Sequence, residues 1–366
     1  MPPLLDVLVA GGLSVLVDIE PLVCLTDPLR VVACIDRLGG KAGHQAGQDF
    51  ELVEVPIPKP HDRAILVRNH FCSLDPAIRG WLEDVPSHMP PIALNDPVRA
   101  ITVGRVVTSR YPDFQTGDWV VGLNAIEDYS IAAPDAFLRI VDPAAVPSVT
   151  LYLSALGAVG VTAYFGVMEV CRPRPGETML VNGAAGAVGS IVGQIARLKG
   201  CRTIGVAGGS LKCRRLTERY GFDAAIDYQG KSPSALSAAL AAAAPEGVDI
   251  VFENVGGLLL DTALMHLKLH ARVALCGLIS EYNSTTGPVG ARNLWQLIVK
   301  RATIQGLFTG DFLDRFAEAQ TALAAWLDKG LLVVDEHIEE GIENAVPAFL
   351  RLFAGTNDGK LILRIA

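Results

Sequence analysis

The chain has 366 residues, half of them hydrophobic and 19% charged, which is material for roughly two globular domains and excludes a disordered protein. Its formal charge of −8, with no basic stripe, excludes the concentrated positive surface that a nucleic-acid partner requires. The seven cysteines are an odd number, scattered singly without a C-x-x-C pair, so a disulfide framework and a four-cysteine zinc site are disfavoured and a reducing, cytoplasmic compartment is expected.

Residues 4–25 are apolar, yet no Lys or Arg precedes Arg30, and Asp6, Asp18 and Glu20 interrupt the run. A secretory signal wants a positive start, and carboxylates are costly inside a bilayer. Residues 1–28 are therefore expected to be an extension outside the catalytic unit, a tail or an added strand, and no membrane partner is expected. From about 47 to 142 the sequence reads as short β-runs between breakers: 51–58, 64–71, 101–109 and 118–123, punctuated by Pro56, Pro58, Pro60, Pro112 and Gly117. That spacing predicts an all-β barrel or sandwich.

After about 150 the texture changes. Residues 153–170 predict a helix, stopped by Pro173 to Gly176. Strands are then predicted at 178–182, 201–207, 224–227, 248–254 and 272–277, with helices between them near 190–200, 211–220, 233–244 and 258–267. This alternation predicts a parallel sheet wound on both faces. Helices near 312–328 and 343–354 and strands near 333–339 and 360–365 complete the chain, and the last strand is expected to return to the first β region.

The string Gly183-Ala184-Ala185-Gly186-Ala187-Val188-Gly189 falls between a predicted strand and a predicted helix. In that setting Gly186 lets backbone approach a pyrophosphate, Gly189 lets the helix pack on its strand, and the helix N-terminus offers unpaired N–H groups. A dinucleotide site follows. An NAD site usually carries an acid at the end of the second strand, whereas here Val206 to Ser210 supply none and Lys212, Arg214 and Arg215 follow at once. NADP is the expected cofactor.

Two-domain dehydrogenases of this layout often hold zinc, which requires a converging set of ligands. Cys72 is the one candidate first ligand, and residues 99–104 contain neither His nor Glu. No metal site is expected, since a tetrahedral site needs three or four converging ligands. Without a Lewis acid, hydride addition to a conjugated C=C bond asks less of the protein than alcohol oxidation does. The developing oxyanion can be met by one or two hydrogen bonds, and a Tyr hydroxyl is a suitable donor.

The chain from about Leu29 to Ala366 resembles the zinc-independent medium-chain dehydrogenase/reductases, in the branch of the prostaglandin, plant double-bond and bacterial curcumin reductases. The strings that carry the resemblance are DFELVEVPIPKP, SLDPAIRG, NGAAGAVGSIVGQIARLKGC, GFDAAIDY, ENVGG, CGLISEYN and GTNDGK. The resemblance implies an α/β protein: a GroES-like β-barrel catalytic domain at 29–154, a Rossmann NADP-binding domain at 155–337, and a C-terminal return at 338–366. It implies that Gly186, Ala187, Val188 and Gly189 meet the pyrophosphate, and that Lys212 and Tyr228 contact the 2′-phosphate and adenosine side. Asn254 would sit by the cofactor after the fourth strand, Cys276, Gly277, Leu278, Ile279 and Ser280 would line the nicotinamide, Leu307, Phe308 and Thr309 would flank it, and Asn357 would reach back from the C-terminal segment.

Tyr282 matches the family tyrosine that hydrogen-bonds the substrate carbonyl or the enolate. The implied activity is NADPH-dependent reduction of the C=C bond of α,β-unsaturated ketones or aldehydes, with a small-molecule enone or enal as partner and a homodimer as assembly. A quinone reductase on the same scaffold and a non-catalytic NADPH-binding protein are the alternatives. Two departures stand out: Ala77 replaces an aromatic on the expected substrate side, and Glu281 adds a negative charge expected near the mouth of the site.

Overall fold

The computed structural model describes residues 28–34, 49–84, 89–135, 137–284 and 289–366. The extension expected over 1–28 lies outside the described residues, Pro28 apart.

Four-to-eleven-residue runs of β-branched side chains form the first unit. Its strands are β1 (Leu29–Cys34), β2 (Phe50–Val55), β3 (Ile65–Ser73), β4 (Arg99–Ser109), β5 (Trp119–Ala125), β6 (Tyr129–Ala132) and the short β7 (Arg139–Ile140), with a short helix, α1 (Ala77–Trp81), after β3. β1 and β2 pair antiparallel with each other. β3, β4, β5 and β7 run side by side in a larger sheet, and β6 pairs with β3. Inward-facing Ile65, Val67, Val106 and Val120 pack one side, and Cys72, Leu74, Ile78 and Trp81 belong to a second core beneath α1.

The second unit opens with α2 (Ala158–Phe165). The expected helix over 153–170 is broken in three. Residues 149–153 form a 3-10 turn, Gly157 is extended, and residues 166–171 widen into a π-turn that ends at Arg172 in the left-handed region. Close packing is the reason: a Cβ on Gly160 would lie 1.7 Å from the Ala155 carbonyl oxygen, and one on Gly166 would lie 2.6 Å from the Phe252 ring. Glycines that permit those approaches also weaken the helix locally.

Strand and helix then alternate: β8 (Thr178–Asn182), α3 (Ala187–Leu198), β9 (Arg202–Ala207), α4 (Ser210–Glu218), β10 (Ala224–Asp227), α5 (Pro233–Ala243), β11 (Val248–Glu253), α6 (Gly257–Met265), β12 (Leu267–Leu275), α7 (Trp295–Lys300) and β13 (Thr303–Gly306). The six strands are parallel in the order β10-β9-β8-β11-β12-β13. This is a doubly wound sheet whose strand order reverses beside β8, and such sheets bind ligands outside the carboxyl ends of the strands at that point. One face is covered by α2, α3 and α8 (Phe316–Asp328), with Phe165, Ile191, Ile195 and Leu323 against Met179, Val181 and Phe252. The other is covered by α5 and α6, with Leu236, Leu240, Leu259 and Leu264 against Leu180, Ile204 and Val251. β8 is therefore apolar on both sides, as its continuous run requires.

The chain then leaves the Rossmann sheet. β14 (Glu336–Glu340) and β15 (Lys360–Arg364) flank α9 (Ala345–Ala354), and both strands join the first unit, where Ile362 pairs with Ser73 of β3. The combination of a β-rich unit with a Rossmann sheet is the fold the sequence predicts.

Candidate active site

The glycine loop leaves β8 at Asn182 and enters α3 through Gly186. Gly183 adopts φ +65°, and its carbonyl accepts from the N–H of Gly186 at 3.0 Å, which folds the loop into a tight turn. A Cβ on Gly189 would lie 2.4 Å from that same carbonyl oxygen, so helix and strand close together only because residue 189 has none. Gly186 caps α3 with no side-chain acceptor. The first N–H groups of this twelve-residue helix thus keep their donors for an anion outside it. A backbone cradle of this kind fits a dinucleotide pyrophosphate at Gly186, Ala187, Val188 and Gly189.

β11 ends beside it. Glu253 is fully buried and accepts from Asn182 Nδ2 at 2.6 Å and from the N–H groups of Val255 and Gly256 at 2.7 and 2.9 Å. Burial outweighs those donors and pushes its carboxyl up to about 7. Asn254 donates to the Asn182 carbonyl at 2.8 Å, which fixes it against the base of the glycine loop.

The loop after β12 is sewn onto this end of β11. Cys276 and Gly277 donate to the Glu253 carbonyl, Ile279 to that of Asn254, and Ser280 to that of Val255 by both backbone and hydroxyl. The Cys276 thiol is pushed up to about 12 by burial and by the charge of Glu253, so it is held as the thiol. Leu307 reaches the same place by donating to the Leu275 carbonyl, and Thr309 shares a hydrogen bond with Thr162 of α2.

Tyr282 turns back over this loop, and its phenolic oxygen accepts from the Leu278 N–H at 3.2 Å. Burial raises its pKa, so the hydroxyl keeps its proton. Its oxygen is used as an acceptor while the O–H remains for donation, and an accepted N–H bond polarises such a donor. Glu281 Oε1 accepts from the Gly257 N–H at 3.2 Å at the start of α6. A Cβ on Gly256 would lie 3.3 Å from that oxygen, and Gly256 and Gly257 adopt positive φ values of +81° and +51°.

At the far end, Gly208 lies under Tyr228, and a Cβ there would sit 3.3 Å from the Tyr228 ring and hydroxyl. The nearby carboxylate, Asp227, is occupied by the N–H groups of Gly209 and Gln229. Lys212 donates to the Gly355 carbonyl at 2.8 Å, and burial together with the Arg215 charge lowers its pKa. Of the three cations expected to face a 2′-phosphate, Arg215 is engaged elsewhere. It forms a two-pronged pair with Asp358 and lies 3.9 Å from Asp335. Asn357 donates to the Gly359 carbonyl, and Gly359 bridges to Gly186, so the C-terminal segment does reach the glycine loop.

Among the described residues no three His, Cys, Asp or Glu side chains converge as a metal cage. Cys72 packs in the core of the β-rich unit. Sequence reasoning passed over Arg79, which donates from Nε to Asn283 Oδ1 at 2.9 Å, and over the buried Glu253–Asn182 pair. The available signal was a lone Arg in the otherwise apolar run Ala77 to Leu82.

A doubly wound sheet with this loop and a facing β-rich unit defines a nucleotide-dependent oxidoreductase. Residues 41–140 match the family described as the N-terminal domain of oxidoreductase, and residues 187–327 match that described as zinc-binding dehydrogenase. The chain is 40% identical over 329 residues to the NADPH-dependent curcumin reductase of Escherichia coli, spanning 88% of this chain and 94% of that one. It is 36% identical to the NADP(+)-dependent 2-alkenal reductase of Nicotiana tabacum, over 88% and 94% of the two chains. The crystal structure of CurA from Vibrio vulnificus in complex with NADPH superposes with a TM-score of 0.85 at 35% identity, covering 92% of this chain and 99% of that one. The chain belongs to the zinc-independent medium-chain dehydrogenase/reductases, in the branch of the curcumin, alkenal and prostaglandin reductases.

Proposed function

We propose that this protein is an NADPH-dependent reductase of the C=C bond in α,β-unsaturated ketones and aldehydes. The observation that carries the reading is the half-buried Tyr282 phenol, proton retained, on a loop stitched to the carboxyl end of β11 beside the glycine cradle. The chemistry that a bound NADPH supplies is a hydride for the β-carbon of the substrate. Gly186 to Gly189 hold the pyrophosphate, and Lys212 and Tyr228 take the 2′-phosphate and adenosine side. Asn254 sits by the cofactor, Cys276 to Ser280 line the nicotinamide and Leu307 to Thr309 flank it, with Asn357 reaching back from the C-terminal segment. Negative charge gathers on the substrate carbonyl oxygen as the β-carbon is reduced, and the Tyr282 O–H donates to that oxygen. The α-carbon takes its proton from solvent or by relay.

The division at 29–154, 155–337 and 338–366 belongs to this reading. Support comes from β15, which pairs with β3 and not with the Rossmann sheet. We also place the protein in the cytoplasm, a setting that suits the free cysteines recorded among the described residues. No helix among those residues is long and apolar enough to cross a membrane. A homodimer joined at β13 is supported by that edge strand and by the apolar side chains beside it on α7.

The test is oxidation of NADPH followed with an enone such as 3-nonen-2-one, with quinones and saturated aldehydes as comparisons. Turnover of the enone is expected, and Tyr282→Phe is expected to slow it by about a hundredfold. Turnover of quinones alone overturns the substrate class, and unchanged turnover in the phenylalanine variant removes Tyr282 from the chemistry.

A further inference from the structure

Two neighbours of Tyr282 are tied in opposite directions. Glu281 faces the Rossmann unit through the Gly257 N–H. Asn283 faces the β-rich unit, where its Oδ1 accepts from Arg79 Nε at 2.9 Å. The phenol lies between the two attachments, with its oxygen steadied by Leu278 from within the loop.

Packing does not account for Arg79. It stands on α1 among Ile78, Trp81 and Leu82, at 4% exposure, in a core that an aliphatic side chain could fill without burying a charge. Glu83 meets Nη2 at 2.8 Å, but buried Nη1 has no acceptor among the described residues. A guanidinium cannot shed its proton to escape that situation. The contact that does call for it is Asn283, where a charged donor gives a short, directional bond across the two units. Ala77, on the expected substrate side, begins the same helix.

We propose that the Arg79–Asn283 hydrogen bond is a clasp between the two units that positions the Tyr282 phenol, so that Arg79 and Asn283 are positioning residues for the reduction. The inference rests on the role given to Tyr282 above. The clasp makes the place of the phenol depend on the separation of the two units. It also fixes α1 relative to the proton donor.

The experiment is single-turnover NADPH oxidation by the NADPH-loaded protein with saturating enone. It is read beside the NADPH dissociation constant and amide hydrogen exchange over residues 277–284. Asn283→Ala is expected to slow hydride transfer by roughly ten- to a hundredfold, the scale of a small misplacement of a reacting group. Its NADPH affinity should stay unchanged while exchange in the loop accelerates. Asn283→Asp keeps an oxygen acceptor for Arg79 and should recover most of the rate. Asn283→Ser, too short to reach, should repeat the alanine result if the alanine variant fails to fold. Arg79→Lys combined with Asn283→Ala should be no slower than the worse single variant, because both remove one contact. Wild-type rate and exchange in the alanine and serine variants, with Tyr282→Phe slow, overturn the clasp alone. A Tyr282→Phe variant at wild-type rate overturns the role of the phenol and the clasp with it.

Discussion

Lys212 illustrates what a single side chain decides. It sits where the second strand of the sheet offers no acid, with Asp227 spent on the turn and Arg215 spent on Asp358. Among the cations expected at the 2′-phosphate, Lys212 is half-buried and adjacent to the Gly208–Tyr228 contact. Lys212→Ala is therefore expected to weaken NADPH by about tenfold or more, the worth of one charged hydrogen bond, and to leave NADH within a factor of about two. Titration of both nucleotides checks it, and equal losses would assign the 2′-phosphate to other residues. The sequence alone pointed to Lys212 and to Tyr282 because their neighbours follow a recognisable pattern. The basic run at the start of α4 did not by itself separate Lys212 from Arg215, since the Asp358 that engages Arg215 lies 143 residues away. The Glu281 contact was out of reach for a related reason: its partner Gly257 lies 24 residues away at the start of another element.

At the scale of elements, the end of β11 is an acid held against its preference. Glu253 is raised to about 7, so between the ordinary carboxylate value of about 4.3 and 7 the folded protein binds a proton that the unfolded chain releases. Stability from this group is present in full below that window and is lost as pH rises through it. Glu127, half-buried beside Ser130 and also raised to about 7, acts in the same sense. Glu253→Gln has no proton to lose, and its Oε1 can keep the Val255 and Gly256 donors if the Asn182 amide turns over. The variant should melt close to wild type at pH 5 and above it at pH 8. Parallel melting curves would mean that Glu253 is already ionised at the lower pH. The β8–α3–β9 stretch was legible because continuous apolar strands and a glycine loop leave one arrangement open. The start of β12 at Leu267, five residues before the expected 272, was not. It pairs with Val248 across a register shift, and His270 takes a left-handed φ of +63° within the strand, features set by tertiary pairing.

Among the described residues β13 is an unpaired parallel edge, next to an apolar helix face on which Trp295 and Ile298 are 67% and 65% exposed. Exposed strand edges pair with other chains unless they are blocked, and contiguous apolar surface marks an interface. Light scattering should give twice the mass of one chain. Ile298→Asp should shift that value toward the monomer without abolishing NADPH binding. A monomeric wild type, or a variant that stays dimeric, counts against this interface. Neither α7 nor the four-residue β13 was predicted, since short elements of mixed polarity carry no periodicity of their own.

The route of the chain through its two units bears on how it is made. β3 needs β15 along one edge, yet the entire parallel sheet is translated between them. On the ribosome the Rossmann core can therefore finish first, whereas the emerging β-rich half must wait with a sticky border uncovered. Slow elongation through residues 178–306 would prolong that vulnerable interval, so chaperone demand during synthesis should fall on the amino-terminal half.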